Sequence, residues 1–441
     1  MSIFLIILLS IGFIVVAIAK FKVHPFITLI LAAIITGFLF GLDGSTIVTK
    51  INEGFGKTLS SIGIIIAFGS IIGTFLEKSG GTTAIAKKLI KLTGESKSPL
   101  AMNLTGILVS IPVYCDSGFI ILSSINKALS KKTGIPLIAF AVALSTGLYV
   151  SHVFVPPTPG PLAAAAALNA DLGLVILLGI CLAVISALPG YYWGMKSIKF
   201  HSLEQGGEEI KEEEINPKTG SLKLFLPILV PILLIALRSI AQYPSLPFGE
   251  NIISSAIIFI GNPLIALFIG FLFSLRLVQD DNDKNTKLKW VGEALKEAGI
   301  IILITGAGGA FGNILRSSNL GELLETHFSM ASVGIALPFI LAAILKTAQG
   351  SSTVAIITTA TIIAPLLNSL GLEGELSRAL TVLAIGAGAM TISHINDSYF
   401  WVVAQFSNMN TATTLKSHTI ATLLQGLTAI IILFILQLLF A

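Results

Sequence analysis

Asp116-Ser117-Gly118 and Gln349-Gly350-Ser351-Ser352-Thr353 are polar islands in a chain that is otherwise largely apolar. Each interrupts an apolar run, Pro99–Leu129 in the first case and Ile335–Leu367 in the second. Backbone at membrane depth leaves the helix only where protein or a water-filled cavity satisfies its polar groups. Each island therefore reads as the tip of a re-entrant hairpin or as a broken helix. Such a break exposes N–H groups and hydroxyls at a helix N-terminus, which suits an anion. Ser151-His152 and Ser393-His394-Ile395-Asn396-Asp397-Ser398 form a second pair of polar breaks, each at the end of an apolar run.

An ionisable group at membrane depth is costly and marks function by default. Asp116 and Asp397 are the candidates for proton coupling. Asp116 is favoured because fewer polar neighbours accompany it, and a carboxyl far from water is easier to protonate. Each aspartate could equally be a helix N-cap, and a cap that titrates serves both ends. His152 could carry a proton, bond a substrate or be a satisfied buried histidine. Gln349, Ser351, Ser352 and Thr353 supply donors and acceptors without charge, which suits a hydroxylated carboxylate. Lys346 either pairs with that carboxylate or snorkels to the interface. The candidate binding set is Asp116, Ser117, Gly118, Ser151, His152, Gln349, Gly350, Ser351, Ser352, Thr353, His394, Asn396, Asp397 and Ser398. Pro156, Pro157, Pro159 and Pro161 cannot continue a helix, so they should hold the adjoining break open.

The elements that must position these residues follow from composition. The chain has 441 residues, 54% hydrophobic and 11% charged, with net charge +4. Segments of about 20 apolar residues recur throughout, as in a polytopic membrane protein. Nucleic-acid binding is excluded by this balance. Cys115 and Cys181 lie in apolar stretches and form neither a disulfide framework nor a zinc spacing. Gly306-Ala307-Gly308-Gly309 and Gly386-Ala387-Gly388 sit inside apolar spans, where small residues allow close helix packing. No Walker loop is present, so ATP is not the direct energy source. The His-Glu-x-x-His pattern of zinc hydrolases and the Gly-x-Gly-Asp pattern expected of an intramembrane hydrolase are both missing. No metal, cofactor or enzyme activity is expected.

Spans are expected near Ile3–Ala19, Phe26–Phe40, Leu59–Leu76, Ile135–Val155, Leu172–Met195, Leu222–Ile240, Ile252–Leu275, Ala294–Leu315, Leu376–Ile392 and Ile420–Phe440. Met1–Ala19 lacks a basic n-region and reads as the first span rather than a signal peptide. Thr83–Leu92 is amphipathic, with Ile85, Leu89 and Leu92 on one side and Lys87, Lys88 and Lys91 on another, which suits an interfacial helix. Asn319–Phe328 is a second interfacial candidate.

The two halves repeat. Gly69, Gly73, Leu76 and Ser79 recur as Gly308, Gly312, Leu315 and Ser318 at an offset of 239, Asp116-Ser117 meets Ser351-Ser352 at 235, and Ser151-His152 meets Ser393-His394 at 242. Matched broken segments in two halves are the sequence sign of a secondary transporter. If both interrupted segments are hairpins, the basic loops gather on the cytoplasmic side. Only Lys50, Lys57, Arg238, Arg316 and Arg378 then lie outside, with Lys346 at a tip. The expected fold is an all-α polytopic membrane protein of two inverted-topology repeats, with about ten transmembrane helices, two re-entrant hairpins and broken helices. Residues 1–195 are the first repeat, 196–221 a charged cytoplasmic linker rich in glutamate, and 222–441 the second repeat.

At its motifs the chain resembles the gluconate:proton symporter family, within the wider ion-transporter superfamily. The matching pieces are Leu76-Glu77-Lys78-Ser79-Gly80-Gly81, Asp116-Ser117-Gly118-Phe119, Pro156-Pro157-x-Pro159-Gly160-Pro161, Ala348-Gln349-Gly350-Ser351-Ser352-Thr353-Val354-Ala355 and Ser393-His394-x-Asn396-Asp397-Ser398-x-Phe400-Trp401. The resemblance implies proton-coupled uptake of gluconate or a related hydroxy or sugar acid across the bacterial inner membrane. The partners it implies are a small carboxylate, protons and the lipid bilayer, and a homodimer is left open. The family also includes D-serine and glycerate carriers. Tyr114-Cys115 departs from the phenylalanines that gluconate permeases tend to carry before the aspartate, which leaves the acid itself open. A sodium-coupled carboxylate symporter of the same superfamily is the alternative, and an intramembrane hydrolase a remote one.

Overall fold

A computed structural model describes residues 3–94, 97–200, 221–242, 248–249, 251–278, 284–316, 334–395 and 397–440. Most of the linker, the Asn319–Phe328 candidate and Asn396 lie outside the described residues. Among the described residues the regular secondary structure is helical throughout. In chain order the helices are α1 (Ile3–Ala19), α2 (Pro25–Leu39), α3 (Gly44–Lys78), α4 (Gly81–Thr93), α5 (Ser98–Val109), α6 (Cys115–Thr133), α7 (Leu137–Phe154), α8 (Pro159–Leu168), α9 (Leu172–Lys196), α10 (Ser221–Ala241), α11 (Ile252–Ile260), α12 (Pro263–Leu275), α13 (Lys284–Arg316), α14 (Ala336–Gln349), α15 (Ser352–Ile363), α16 (Glu375–Met390), α17 (Ser398–Phe406) and α18 (Ile420–Phe440).

Among the described residues six helical stretches are long and apolar enough to cross a membrane, or seven if the bent α11–α12 pair is one span. Shorter apolar helices, among them α2, α5, α14 and α15, make up the rest of the apolar chain. Outward-facing side chains such as Phe38, Ile252, Phe259 and Leu438 are exposed. A bilayer solvates such a surface, whereas water would not.

Several elements differ from the sequence expectation for local reasons. The third helix starts at Gly44 rather than Leu59, because Asp43 caps it by accepting from Ser45 and Thr46 N–H at 3.0 Å each. The Ser45 and Thr46 hydroxyls also donate to Asp43, and these bonds, with the two from N–H, hold its exposed carboxyl well below the usual carboxylate range. At 35 residues α3 is about 52 Å long, well beyond a hydrocarbon core of roughly 30 Å. It pairs with α13, which also starts early, at Lys284, and an ion pair between Lys78 and Glu293 ties the two helices. The expected Ile252–Leu275 span is broken by a 66° bend. Asn262 caps the new helix through Leu264 N–H, and Pro263 removes a donor at its start. Pro159 and Pro161 do not prolong the break after α7; they stand in the first turn of α8, where a missing N–H costs nothing. Along the amphipathic α4, Ile85 is buried and Leu92 is 71% exposed, and Lys87, Lys88 and Lys91 are exposed.

The centre of the molecule is α7, buried from Ile138 to Phe154. Helix α16, buried nearly throughout, packs against its C-terminal end, and a Cβ on Gly386 would stand 2.5 Å from the Val153 carbonyl. A Cβ on Gly73 of α3 would stand 2.1 Å from the Pro112 carbonyl, in the break between α5 and α6. Glycine is required at both positions because backbone meets backbone there. These two contacts bring the chain breaks into the interior.

Candidate functional site

Two of the breaks meet in a buried ion pair. Lys346, in the last turn of α14, pairs with Asp397, which caps α17 by accepting from Tyr399 N–H at 3.1 Å. The side chains are 1% and 6% exposed. Lys346 thus does not snorkel to an interface. Its ammonium lies 5.9 Å from the centroid of the Tyr149 ring, on α7, which adds a cation–π contact. Tyr149 and Tyr399 stand 5.2 Å apart, and Phe119 of α6 meets Tyr399 edge-on at 6.2 Å. The pair therefore sits against an aromatic wall drawn from α6, α7 and α17.

A hydrogen-bonded network holds Asp397 from the other side. Ser393 Oγ donates to Asp397 Oδ2 at 2.5 Å, and Ser393 N–H donates to Thr422 Oγ1 at 3.0 Å. Thr419 Oγ1 donates to the Ser393 carbonyl. His418 Nε2 lies 3.2 Å from Ser393 Oγ, and its Nδ1 lies 3.1 Å from Ser145 Oγ on α7. His418 and Thr419 belong to a π-helical turn, Leu415–Thr419, that leads into α18.

The first-half break contributes Asp116. It stands in the first turn of α6, not at the cap, which is Tyr114. Its Oδ1 is buried with no hydrogen-bond partner, and its charge is within reach of both Asp397 and Lys346. Lys346 thus pairs with one carboxyl and feels the charge of a second. Ser117 faces away, toward half-buried Glu77 on α3. Gly118 is a packing position: a Cβ there would be 2.8 Å from Leu148 Cδ2. Tyr114 bonds Ser70 on α3 at 3.3 Å, and its ring lies 6.2 Å from that of His152.

The remaining candidates separate by place. His152 is 4% exposed and bonds Thr353 through Nε2 at 3.3 Å, leaving Nδ1 buried and unpartnered. Ser352 faces the Tyr149 hydroxyl, and the buried Ser151 hydroxyl has no partner. Gly350 closes α14 in the left-handed conformation (φ 78°), and Ser351 caps α15 by accepting from Val354 N–H at 3.3 Å. His394 is half-buried, with Nε2 3.2 Å from the Thr347 carbonyl, so it ties the break to α14. Ser398 is exposed and is not brought to the ion pair. Of Gln349 only the backbone is described, and Asn396 lies outside the described residues. A separate cavity of about 440 Å³ lies between α3, α8, α13 and α15, lined by Lys57, Thr58, Ser61, Asn169, Thr305 and Thr361 among others; neither Lys346 nor Asp397 lines it.

Sequence reasoning missed Tyr149, Tyr399, Glu77 and His418 as neighbours of these breaks and left Lys346 open between two roles. Tyr149 is two residues before Ser151-His152 and Tyr399 two after Asp397, so proximity to the breaks was a usable signal for both. His418 carries no such signal: it meets Ser393 only through the fold.

A family model described as GntP family permease matches residues 2–439. The chain is 33% identical over 432 residues to the gluconate permease of Pseudomonas aeruginosa, covering 96% of this chain and 95% of that one. It is 32% identical over 442 residues to the D-serine transporter DsdX of Escherichia coli, covering 98% and 97%. Among solved structures, MtrF of Neisseria gonorrhoeae, described with a class of antimetabolite efflux pumps, aligns with a TM-score of 0.62 at 17% identity over 96% of each chain. That likeness is one of fold.

Proposed function

The chain belongs to the GntP family of permeases, as an all-helical secondary transporter of the inner membrane and not an enzyme, and we propose that it couples inward movement of gluconate or a related hydroxy or sugar acid to protons. The observation that carries this reading is the buried Lys346–Asp397 pair beside Asp116. The site holds one ammonium that a substrate carboxylate can take as counter-ion, and two carboxyls that can accept protons. When a substrate carboxylate takes Lys346, Asp397 is left as an unpaired buried charge, which costs several kcal/mol unless it is protonated. Binding of the anion and binding of a proton therefore favour the same state, as symport requires. One anion entering with one proton leaves the buried charge unchanged.

In this reading Ser352 and Thr353 meet the substrate hydroxyls, and His152 fixes Thr353. The sequence favours Asp116 as proton carrier; the direct pairing with Lys346 moves that role to Asp397, with Asp116 as the second member of a coupled pair. Residues 1–195 and 222–441 are taken as inverted repeats, each supplying one aspartate from a break. The test is uptake by proteoliposomes in sodium-free buffer with an inward proton gradient. Labelled gluconate should accumulate and a protonophore should abolish the accumulation. Accumulation driven by sodium alone would replace this reading with the sodium-coupled one, and a screen of gluconate, idonate, glycerate and D-serine under the same gradient identifies the substrate.

A further inference from the structure

We infer that the cavity of about 440 Å³ between α3, α8, α13 and α15 is a second binding site, where a small hydroxylated carboxylate docks from outside before it reaches the Lys346–Asp397 pair; the inference rests on the carboxylate-transporter reading above. Lys57, Ser61 and Asn169 of the lining are exposed, so the cavity opens to the surface beside them. Lys57 and Arg378 are among the five bases that the charge bias puts outside, and Arg378 Nη1 donates to the Asn169 carbonyl at 3.4 Å. Asn313 Nδ2 on α13 donates to the Lys50 carbonyl on α3 at 2.8 Å and ties the outer ends of those helices together. The opening thus lies where a solute arriving from outside meets the protein.

The lining selects a ligand by what it offers. Thr58 and Ser61 on α3, Thr305 on α13 and Thr361 on α15 donate their hydroxyl protons to carbonyls of their own helices, at 2.9, 2.9, 2.7 and 2.9 Å. What remains for the cavity is their oxygen lone pairs, so these groups accept and the ligand must donate. Among the described residues Lys57 is the one charged member of the lining; Glu53, exposed one turn before it on α3, is not part of it. A ligand with one carboxylate for the ammonium and several hydroxyls for the acceptors meets both demands. An apolar carboxylate meets only the first, and a cation is repelled by Lys57. The volume falls within the roughly 300–1,000 Å³ of small-molecule pockets.

The cavity leads toward the ion pair along one side of α15. Thr361 and Ile357 line it, and Thr353, four residues nearer the tip on the same side, bonds His152 at 3.3 Å. The eight residues from Thr361 to Thr353 span about 12 Å of helix. Alanines of α8, Ala163, Ala166 and Ala170, leave room beside α15. One turn before Ala163 the two helices close on each other: a Cβ on Gly160 would stand 3.0 Å from Ile356 Cδ1 and 3.6 Å from Thr353 Cα. That contact stands between the cavity and the break, so the two are separate sites that one solute can occupy in turn.

The test is protection of a cysteine. In a Cys181→Ser background, Ser61→Cys puts a thiol in the lining, and whole cells are treated with an impermeant methanethiosulfonate. Gluconate should slow the labelling, and butyrate, which has the charge without the hydroxyls, should not. Lys57→Gln should abolish the protection and Lys57→Arg should keep it. Protection should persist when Lys346→Met and Asp397→Asn are added together, which removes the inner site and any motion that its occupancy causes. Uptake of subsaturating gluconate by Lys57→Gln should fall about fivefold at low ionic strength and by less at high salt. Protection that survives Lys57→Gln, protection that vanishes with the inner site, equal protection by butyrate, or labelling only from inside would each overturn the docking site. Gluconate uptake by the parent with no protection would overturn it and leave the transport reading in place. A parent that takes up no gluconate overturns the substrate reading, and the docking site with it.

Discussion

The Lys346 ammonium and the Asp397 carboxylate close an ion pair between two chain breaks, and neither side chain reaches the surface. Each charge is tolerable only because the other is present. Removing one partner of a buried pair typically costs about 3–5 kcal/mol, whereas replacing both by groups of similar shape can be nearly neutral. Lys346→Met should therefore lower the unfolding temperature and abolish gluconate binding. Adding Asp397→Asn to it should recover most of the stability and none of the binding. Thermal unfolding in detergent and equilibrium binding read the two effects separately. A stable Lys346→Met protein that still binds gluconate would remove Lys346 from the site.

The neutral tip divides into a cap and a contact. Ser351 accepts from Val354 N–H at the start of α15, and Ser352 is 8% exposed and faces Tyr149. Ser351→Ala should cost about 1 kcal/mol of stability through the lost cap. Ser352→Ala should weaken gluconate binding by a few-fold, as expected for a bond worth roughly 0.5–1.5 kcal/mol. Isothermal titration and thermal unfolding should show these losses in different variants; a Ser352→Ala affinity equal to that of the parent would exclude its hydroxyl from substrate contact.

How much of this could be read from the chain depends on whether the signal was local. The aspartates, serines and histidines at the breaks were legible because a polar residue in an apolar run stands out whatever the fold. The burial of Lys346 was not, since a lysine near a hairpin end can snorkel or turn inward, and only its pairing with a residue 51 positions away decides between them. His418 was invisible for the same reason: its partners, Ser145 and Ser393, come from α7 and from the other break. The early start of α3 was local and readable, through the Asp43-Gly44-Ser45-Thr46 cap, but hydropathy outweighed it. The 66° bend at Asn262-Pro263 was likewise written in an Asn-Pro pair inside an apolar run.

The topology can be tested at two exposed positions. Lys131 lies in the last turn of α6 and Glu373 precedes α16; the charge bias puts the first inside and the second outside. In a background with Cys181→Ser, which removes the exposed native cysteine, Lys131→Cys should react with an impermeant maleimide only in inside-out vesicles. Glu373→Cys should react only in whole cells or right-side-out vesicles. Labelling of both from the same side would exclude re-entrant hairpins of opposite entry.

The last prediction separates the two aspartates. Both carboxyls lie within reach of Lys346, but only Asp397 is paired with it and only Asp397 is bonded to Ser393. Asparagine mimics a permanently protonated aspartate in shape and lacks its charge. In Asp397→Asn, Lys346 is free of its counter-ion, so a substrate carboxylate meets no competitor. This variant should bind gluconate at least as tightly as the parent, exchange labelled for unlabelled gluconate, lose the pH dependence of exchange and fail to accumulate gluconate against a gradient. In Asp116→Asn the ion pair and the bond from Ser393 to Asp397 are intact, but one of the two proton sites is gone. Accumulation should persist with a shifted pH profile, because the remaining titration then belongs to Asp397 alone instead of a coupled pair. Uptake and exchange measured across pH 5 to pH 9 distinguish the cases. The reverse pattern, with Asp116→Asn uncoupled and Asp397→Asn still accumulating, would return the carrier role to Asp116. Normal accumulation in both variants would place the coupling group among the buried histidines, with His152, whose Nδ1 has no partner, first to be replaced.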